Sequence, residues 1–220
     1  MSEDILGEWG TFVFLSEYPN MAPVSQDAST AVYQVEGFIE RCGEPIVLAP
    51  PARWILRMES PNRAALEEAT QTLVSQCGRP LIGVTQHLHY TTADQQAELL
   101  RVSAQPVDAS GTGVAVLIPI AKSDAWWQLP HDERQRHFLQ TERTEGHTAI
   151  GLRYADRIYR KLYHSRYIHP PQGFDFLTYF EFPEDLAEDF RALLSNLRDP
   201  ELNPEWAFVK REIEIWLRKR

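Results

Sequence analysis

The sequence predicts an α+β protein built from two ferredoxin-like units, packed sheet to sheet in a dimeric α/β-barrel type of architecture. Three observations predict it. The 220 residues are 43% apolar and 11% aromatic, which is enough for a sizeable core. Predicted strands and helices alternate in a similar order in both halves. Glycine, serine and aspartate concentrate at about Pro106–Gly113, so we expect units of residues 1–110 and 111–220.

The first half contains a predicted β-α-β segment. Strand-like runs at Arg53–Met58 and Leu81–Tyr90 flank a helical pattern at Ser60–Cys77. A serine, a proline and a glycine stand at the expected start and stop positions of that helix. A further helix at about Thr92–Val102 precedes the dividing loop.

The second half has the predicted order β-α-α-β-α-β. Strands are predicted where β-branched and aromatic residues are dense, and helices where apolar residues recur at helical spacing. In the last strand, Ile213 and Ile215 alternate with Glu212 and Glu214, which predicts one buried and one solvated face. The predicted strands are Val114–Ile120, Phe174–Phe182 and about Trp206–Leu217, and the predicted helices are about Pro130–Glu145, His147–His164 and Pro183–Leu197.

Charge and cysteine content exclude several classes of protein. The formal net charge of −9 leaves no broad cationic face, so we expect neither nucleic acid nor an anionic membrane as a partner. A small anionic substrate would therefore need a local cationic pocket. Cys42 and Cys77 form no CxxC motif, which argues against a disulfide framework and a thiolate zinc site. The acidic start and the lack of an 18-residue apolar run favour a cytoplasmic protein.

Residue spacing nominates few functional groups. The nucleotide-binding, zincin and serine-hydrolase motifs are absent. His87 and His89 share a face of a predicted strand and are a possible metal pair without a third ligand. His147 begins a predicted helix, and Arg160 lies about 20 Å of helical rise further on. A flat ligand beside that helix could meet both side chains, although a partly exposed histidine and a solvated arginine remain open alternatives.

Several segments in register resemble the chlorite dismutase family of haem proteins, especially its shorter, dimeric, cytoplasmic branch. The resemblance is strong over the C-terminal half. In the first half WILR (54–57), GVTQHLHY (83–90) and TTADQQAEL (91–99) are similar, while Met58–Ile82 resembles an insertion. The C-terminal segments are PIAKSDAWWQLPHDERQRHF (119–138), HTAIGLRYADRIYRKLYHSR (147–166), FDFLTYFEF (174–182) and EWAFVKREIEIWL (205–217).

The resemblance implies one noncovalent haem b per chain, bound in the C-terminal half, and the decomposition of chlorite to chloride and dioxygen. It also implies a homo-oligomer, with a dimer favoured over a pentamer. In this family pattern His147 is the proximal iron ligand, Arg160 is the catalytic distal arginine, and Glu205 accepts a hydrogen bond from the other nitrogen of His147. The further haem-site side chains that the resemblance implies are Lys122, Trp126, Trp127, Thr178 and Phe180.

Other functions remain open at this stage. Within the family, a coproporphyrin decarboxylase or a peroxidase-like enzyme is an alternative, although the decarboxylases place a different residue where Arg160 stands. The alternatives that are not enzymes are a noncatalytic haem-binding protein and a cofactor-free assembly module. Residue type alone also permits Glu205 to be a solvated acid, Lys122 to be a strand-end lysine and the two tryptophans to be core residues.

Overall fold

The computed structural model describes residues 7–19, 28–42, 52–74, 80–85, 93–107, 113–169 and 171–220. The strands in this described part are β1 (Trp9–Leu15), β2 (Ser29–Cys42), β3 (Trp54–Ser60), β4 (Leu81–Val84), β5 (Gly113–Lys122), β6 (Tyr159–His164), β7 (Phe176–Pro183) and β8 (Val209–Lys219). The helices are α1 (Arg63–Val74), α2 (Ala93–Val102), α3 (Asp124–Gln128), α4 (His131–Arg136), α5 (Gly146–Leu152) and α6 (Ala187–Arg198), with 3₁₀ turns at Glu184–Leu186 and Pro204–Phe208.

The eight described strands form one closed antiparallel barrel in the order β1-β3-β2-β8-β5-β7-β6-β4. The prediction of two ferredoxin-like units, packed sheet to sheet in a dimeric α/β barrel, is therefore wrong. β2 pairs with β8 over a long register, and β4 meets β6 through Val84 and His164, which closes the barrel. Closure gives hydrogen-bond partners to the backbone groups at the sheet edges, which two separate sheets would leave unpaired. The expected division near residue 110 stays a prediction; β1 to β4 precede it and β5 to β8 follow it.

Most predicted strands of the second half are confirmed as β5, β7 and β8, and α6 confirms the last predicted helix. In the first half β3, α1 and β4 confirm the β-α-β segment, and α2 lies where a further helix was expected. Parts of these predictions, together with the His87 and His89 pair, lie outside the described residues.

The predicted helix over His147–His164 is wrong beyond its first turns. α5 ends at Leu152, and Arg160 lies on β6, paired across the ladder with Phe180 of β7. The apolar residues of this segment recur every four positions. That interval fits one face of a helix, but it also fits one face of a strand, because even intervals share a face there. The predicted helix over Pro130–Glu145 is likewise reduced to α4.

The expected solvated face of β8 is also wrong. Glu212 and Glu214 are each 1% exposed. Arg198, in the last turn of α6, contacts the carboxylates of both at 2.6 Å. The alternation of Glu212 and Glu214 with isoleucine does place the two acids on the outer face, as predicted. That face is covered by α6 and Arg198, however, so β8 is buried on both sides at these positions.

Inside the barrel a buried ionic cluster, here called the barrel network, comprises Arg57, Glu59, Lys161 and Tyr163. Arg57 pairs with Glu59 at 2.6 Å and donates to the Tyr163 hydroxyl at 3.0 Å, while Lys161 pairs with Glu59 at 2.6 Å. The base of the Tyr163 side chain lies close to the β4 backbone, because a Cβ at Gly83 would come within 2.5 Å of the Tyr163 Cβ. This contact braces the short β4–β6 seam.

Outside the barrel, α5 and α6 cover the outer face of β5 and β7. Ile150 of α5 and Phe190 of α6 pack in one apolar cluster with Ile118 and Phe180 of these strands. This packing sets the two helices at a fixed height over the sheet. Within the described residues, no helix combines the length and apolar character needed to span a membrane.

Candidate functional site

His147 is presented at the start of α5 by an unusual backbone bend. Gly146 has a φ of 74°, and its N–H donates to the Leu202 carbonyl at 2.9 Å. A Cβ at position 146 would lie 2.5 Å from the Leu139 carbonyl oxygen, so a side chain there would be excluded by both space and conformation. Gly146 therefore anchors His147, whose side chain is 24% exposed.

The imidazole of His147 is backed by a buried carboxylate and a buried ammonium, here called the His147 cluster. Glu205, on the 3₁₀ turn before β8, lies 2.9 Å from His147 Nδ1 through Oε2. Its other carboxylate oxygen binds the Lys122 ammonium, which also donates to the Glu205 carbonyl at 3.3 Å. Glu205 and Lys122 are both buried. The structure thus brings together three residues that the sequence places far apart.

The charge on Glu205 determines the state of the imidazole. Burial alone would raise the pKa of Glu205, but Lys122 and His147 outweigh it and hold that pKa well below its usual value. Because a carboxylate can only accept hydrogen bonds, Nδ1 of a neutral His147 carries the proton. Its lone pair then lies on Nε2, for which the described residues provide no hydrogen-bond partner. The cluster therefore presents a metal-ligating nitrogen.

Arg160 lies on the outer face of β6 with an unusual combination of properties. Its side chain is exposed, yet burial by surrounding protein lowers its pKa, with Glu205 acting in the opposite direction. Within the described part of the chain it has no hydrogen-bonded or ion-paired partner. Its cross-strand neighbour Phe180 packs in the same apolar cluster as Ile150 of α5, the helix that carries His147.

Thr178 and Phe180 lie on β7 where the sequence predicts them, on one face of the strand. Phe180 is opposite Arg160, and Thr178 is opposite Leu162. Both side chains are largely buried, and Phe180 packs on Phe190 of α6 at a centroid distance of 5.1 Å. The β7 side chains next to Arg160, here called the wall, are therefore mainly apolar.

The two tryptophans have different environments. Trp126 is fully buried, and its ring packs against Phe138 and Phe208 with the Lys122 ammonium 5.1 Å from its centroid. Trp127 instead stacks on Phe176 of β7 at 6.0 Å. Trp126 therefore supports the His147 cluster from behind, whereas Trp127 lies against the outer face of the β-sheet.

Two contributors were not predicted from the sequence. Asp175 accepts hydrogen bonds from the Lys122 backbone N–H at 2.7 Å and from the Trp127 indole at 3.2 Å. Phe138 packs on the His147 ring at a centroid distance of 5.1 Å. An acid at the start of an apolar strand was a weak signal for Asp175. Phe138 lies in the segment predicted as a long helix, so its position could not be inferred.

These residues fit an axially ligated cofactor. A metal-bound histidine commonly donates its second N–H to a carboxylate, which orients the ring and increases its basicity. His147 and Glu205 have that arrangement. Arg160 offers a fixed positive charge on the outer face of β6, and the neighbouring apolar side chains of β7 would suit a flat hydrophobic group.

Sequence comparison finds a related enzyme. The chain is 31% identical over 122 residues to chlorite dismutase of Ideonella dechloratans. This match covers 55% of the chain and 39% of that relative, so the chain spans well under two thirds of its length. The chain matches no model of a protein family.

Structural comparison covers nearly the whole chain. The dimeric chlorite dismutase of Nitrobacter winogradskyi has a TM-score of 0.69 and 28% identity, over 95% of this chain and 99% of that one. Chlorite dismutase from Candidatus Nitrospira defluvii, in complex with imidazole, has a TM-score of 0.71 over 100% of this chain and 92% of that one. At 20% identity the second similarity shows the fold alone.

Fold and site together define a closed antiparallel barrel protein with a carboxylate-backed histidine at the start of a helix that packs on the outer face of the barrel. The two kinds of comparison agree on which proteins share this arrangement of the chain. Both comparisons find chlorite dismutases, to which the chain is similar in sequence over part of its length and in fold over nearly all of it.

Proposed function

We propose that the protein is a haem b enzyme that decomposes chlorite to chloride and dioxygen. The observation that carries the proposal is a carboxylate-backed His147 on the same outer side of the barrel as Arg160, which has no ion-pair partner among the described residues. The chlorite dismutases of Ideonella and Nitrobacter support the substrate class.

His147 would be the single protein ligand of the haem iron, through Nε2. Glu205 holds the proton on Nδ1 and strengthens electron donation by the ring, and Lys122 keeps Glu205 ionised. When bound, haem b supplies a redox-active iron at which an oxyanion can react. The chain's own contribution on this side is therefore the orientation and basicity of one imidazole.

Arg160 would bind the chlorite anion and retain its chlorine-containing fragment until the reaction is complete. A guanidinium stays charged at any relevant pH and presents a planar fork of donors to an oxyanion. Because Arg160 has no competing carboxylate among the described residues, these donors are available to a ligand. Phe180 and Ile118 on the adjacent wall would limit water and the escape of a reactive fragment.

We extend the proposal to the assembly and its location. The Nitrobacter relative, matched over almost its entire length, is dimeric, which supports a homodimer over a pentamer. The negative net charge and the two cysteines outside any CxxC motif are consistent with a cytoplasmic enzyme.

Oxygen release on addition of chlorite tests the enzymatic proposal. We expect the haem-reconstituted protein to release dioxygen, and His147→Ala to lose both this activity and the wild-type Soret band. His169→Ala is the matched control, because His169 is an exposed histidine outside the cluster. A protein that loads haem through His147 but releases no dioxygen would be a noncatalytic haem binder. Oxidative decarboxylation of iron coproporphyrin would instead identify the alternative enzyme.

A further inference from the structure

The segment from Leu202 to Glu205 contacts the histidine loop in two ways. The Leu202 carbonyl accepts a hydrogen bond from the Gly146 N–H at 2.9 Å, directly before the histidine in the chain. Three residues further on, Glu205 lies 2.9 Å from Nδ1 of the His147 ring. The backbone and the ring of His147 are therefore held by the same short segment, and a displacement of that segment would change both contacts.

Asn203 lies inside this segment and is fully buried. Its Nδ2 atom donates to the Leu197 carbonyl at 2.7 Å, in the last turn of α6, and its backbone N–H donates to the Asp199 carbonyl at 2.7 Å. The last carbonyls of a helix have no partner within the helix, so a side-chain amide can satisfy one of them. Asn203 thus fixes the segment to the end of α6.

Asn203 also begins the 3₁₀ turn that carries Glu205. Its carbonyl accepts a hydrogen bond from the Trp206 N–H at 2.9 Å, and Pro204 stands at the start of the turn, where its ring restricts the backbone. The Asn203 Oδ1 atom has no hydrogen-bond partner among the described residues, so the side chain acts through Nδ2. One amide hydrogen bond to α6 therefore supports the turn on which Glu205 lies.

The helix α6 is itself held against the barrel at two points. On its apolar face the ring of Phe190 stacks on Phe182 of β7, with centroids 4.5 Å apart. At its last residue Arg198 pairs with the buried Glu212 and Glu214 of β8. A hydrogen bond to the end of α6 consequently ties the Leu202–Glu205 segment to two strands of the barrel.

We propose that Asn203 is a positioning residue for the His147 cluster, because its amide hydrogen bond to α6 sets the position of Glu205 against the His147 ring. The effect on haem rests on the proposed function. The orientation and the basicity of a metal-bound imidazole depend on the hydrogen bond at its second nitrogen. Removal of the Asn203 amide would lengthen or misalign that hydrogen bond while every member of the His147 cluster is retained.

The test follows the Nδ1 proton of His147 by NMR in the full chain labelled with ¹⁵N-histidine. A short, charge-assisted hydrogen bond to a carboxylate shifts an N–H resonance downfield, and loss of the resonance in His147→Ala assigns it. We expect the resonance to move upfield in Asn203→Ala or to broaden through exchange with water. Asn203→Ser keeps a donor and should show the same change to a smaller extent; it replaces Asn203→Ala if that variant does not fold.

Haem affinity, measured from the Soret absorbance, is the second readout. Replacement of a group that orients a metal-bound histidine lowers affinity roughly 10–100-fold. Because Asn203 acts through Glu205, we expect Asn203→Ala to raise the haem dissociation constant by about threefold to tenfold, less than Glu205→Gln does.

Asn196→Ala is the matched control. Asn196 is also an asparagine near the end of α6, but its Nδ2 atom donates to the Tyr154 hydroxyl at 3.5 Å rather than to a helix carbonyl. Its replacement should change neither the His147 resonance nor the haem affinity.

The outcomes separate this inference from the proposed function. An unchanged His147 resonance in Asn203→Ala would overturn the positioning role, even if haem affinity fell, because the loss would then come from a general effect on the fold. Equal changes in Asn203→Ala and Asn196→Ala would overturn it as well. If the resonance moves as expected but the wild-type protein binds no haem, the positioning role stands and the proposed function is wrong.

Discussion

Arg57 and Arg160 lie on opposite faces of the same barrel and have opposite electrostatics. Burial alone would lower the pKa of Arg57, but Tyr163, Tyr179 and Glu59 outweigh it and raise that pKa. The guanidinium also lies 4.1 Å from the Tyr179 ring centroid. Arg160 has no such partners among the described residues, and burial lowers its pKa. Arg57 is therefore tied into the barrel network, whereas no described residue forms an ion pair with Arg160.

The same contrast separates two neighbours in the chain. Lys161 follows Arg160 directly, but β6 turns it towards the barrel interior, where it pairs with Glu59. Composition alone does not distinguish Arg160 from Lys161. Because successive residues of a strand face opposite sides, Lys161 lies in the barrel network and Arg160 lies on the outer face. The predictions below test the consequences of this difference.

The largest expected effect is on the barrel network. We expect Arg57→Met to lower the free energy of unfolding by about 3–5 kcal/mol, because it leaves a buried carboxylate with one fewer partner. Arg160→Met should change it by less than about 0.5 kcal/mol, since that guanidinium has no ion pair with any residue that the structure describes. Urea denaturation of the two variants measures both. Similar losses in the two would contradict the assignment of Arg57 to stability and Arg160 to binding.

The next effect concerns the His147 cluster and its dependence on pH. Glu205→Gln should cost about 1.5–3 kcal/mol at neutral pH, where it removes hydrogen bonds to a charged group. The folded-state pKa of Glu205 lies below its ordinary value of 4.5, so its stabilising contribution is present above that pH and is lost as the pH falls towards the lower folded-state value.

Unfolding free energies of wild type and Glu205→Gln, measured from pH 8 to pH 3, check this sign. The difference between the two proteins should shrink as the pH falls below the ordinary pKa of glutamate. A difference that grows on acidification would mean that Glu205 is not held as an anion by Lys122 and His147.

A smaller effect is expected at the β4–β6 seam. Gly83→Ala should destabilise the protein by about 1–2 kcal/mol, because its Cβ would overlap Tyr163 and displace a member of the barrel network. Gly37→Ala is the control, since a Cβ there meets nothing within 4 Å. Thermal unfolding measures both. The haem affinity of Gly83→Ala should equal that of wild type if the barrel network and the His147 cluster are separate; a parallel loss of affinity would show that they are coupled.

The sequence predicts local structure here better than it predicts pairing. Strand composition locates β5 and β7, and the helical pattern of Leu193, Leu194 and Leu197 locates α6. The closed barrel was not predicted, because closure depends on long-range pairing such as β2 with β8 that periodicity does not report. The error at Arg160 has a local cause, since a four-residue interval satisfies both helix and strand.

The site was predictable only in part. The family resemblance nominated His147, Glu205 and Lys122, and the structure brings these three into contact. Their roles, and those of Arg160, Trp126, Trp127, Thr178 and Phe180, stay predictions. Asp175 was missed because its partners come from three separate segments of the chain, which no single spacing reveals.

The central claim is that His147 and Arg160 face one cleft from opposite sides. Fluoride titration of the haem-loaded protein, followed by absorbance, tests it directly because the anion must reach iron held by His147 and be within reach of Arg160. We expect the fluoride dissociation constant to rise about tenfold or more in Arg160→Gln, corresponding to a lost charge-assisted hydrogen bond. It should be unchanged in Arg191→Gln, the control, because Arg191 lies on α6 and pairs with Glu188. Equal fluoride affinity in wild type and Arg160→Gln would contradict the claim.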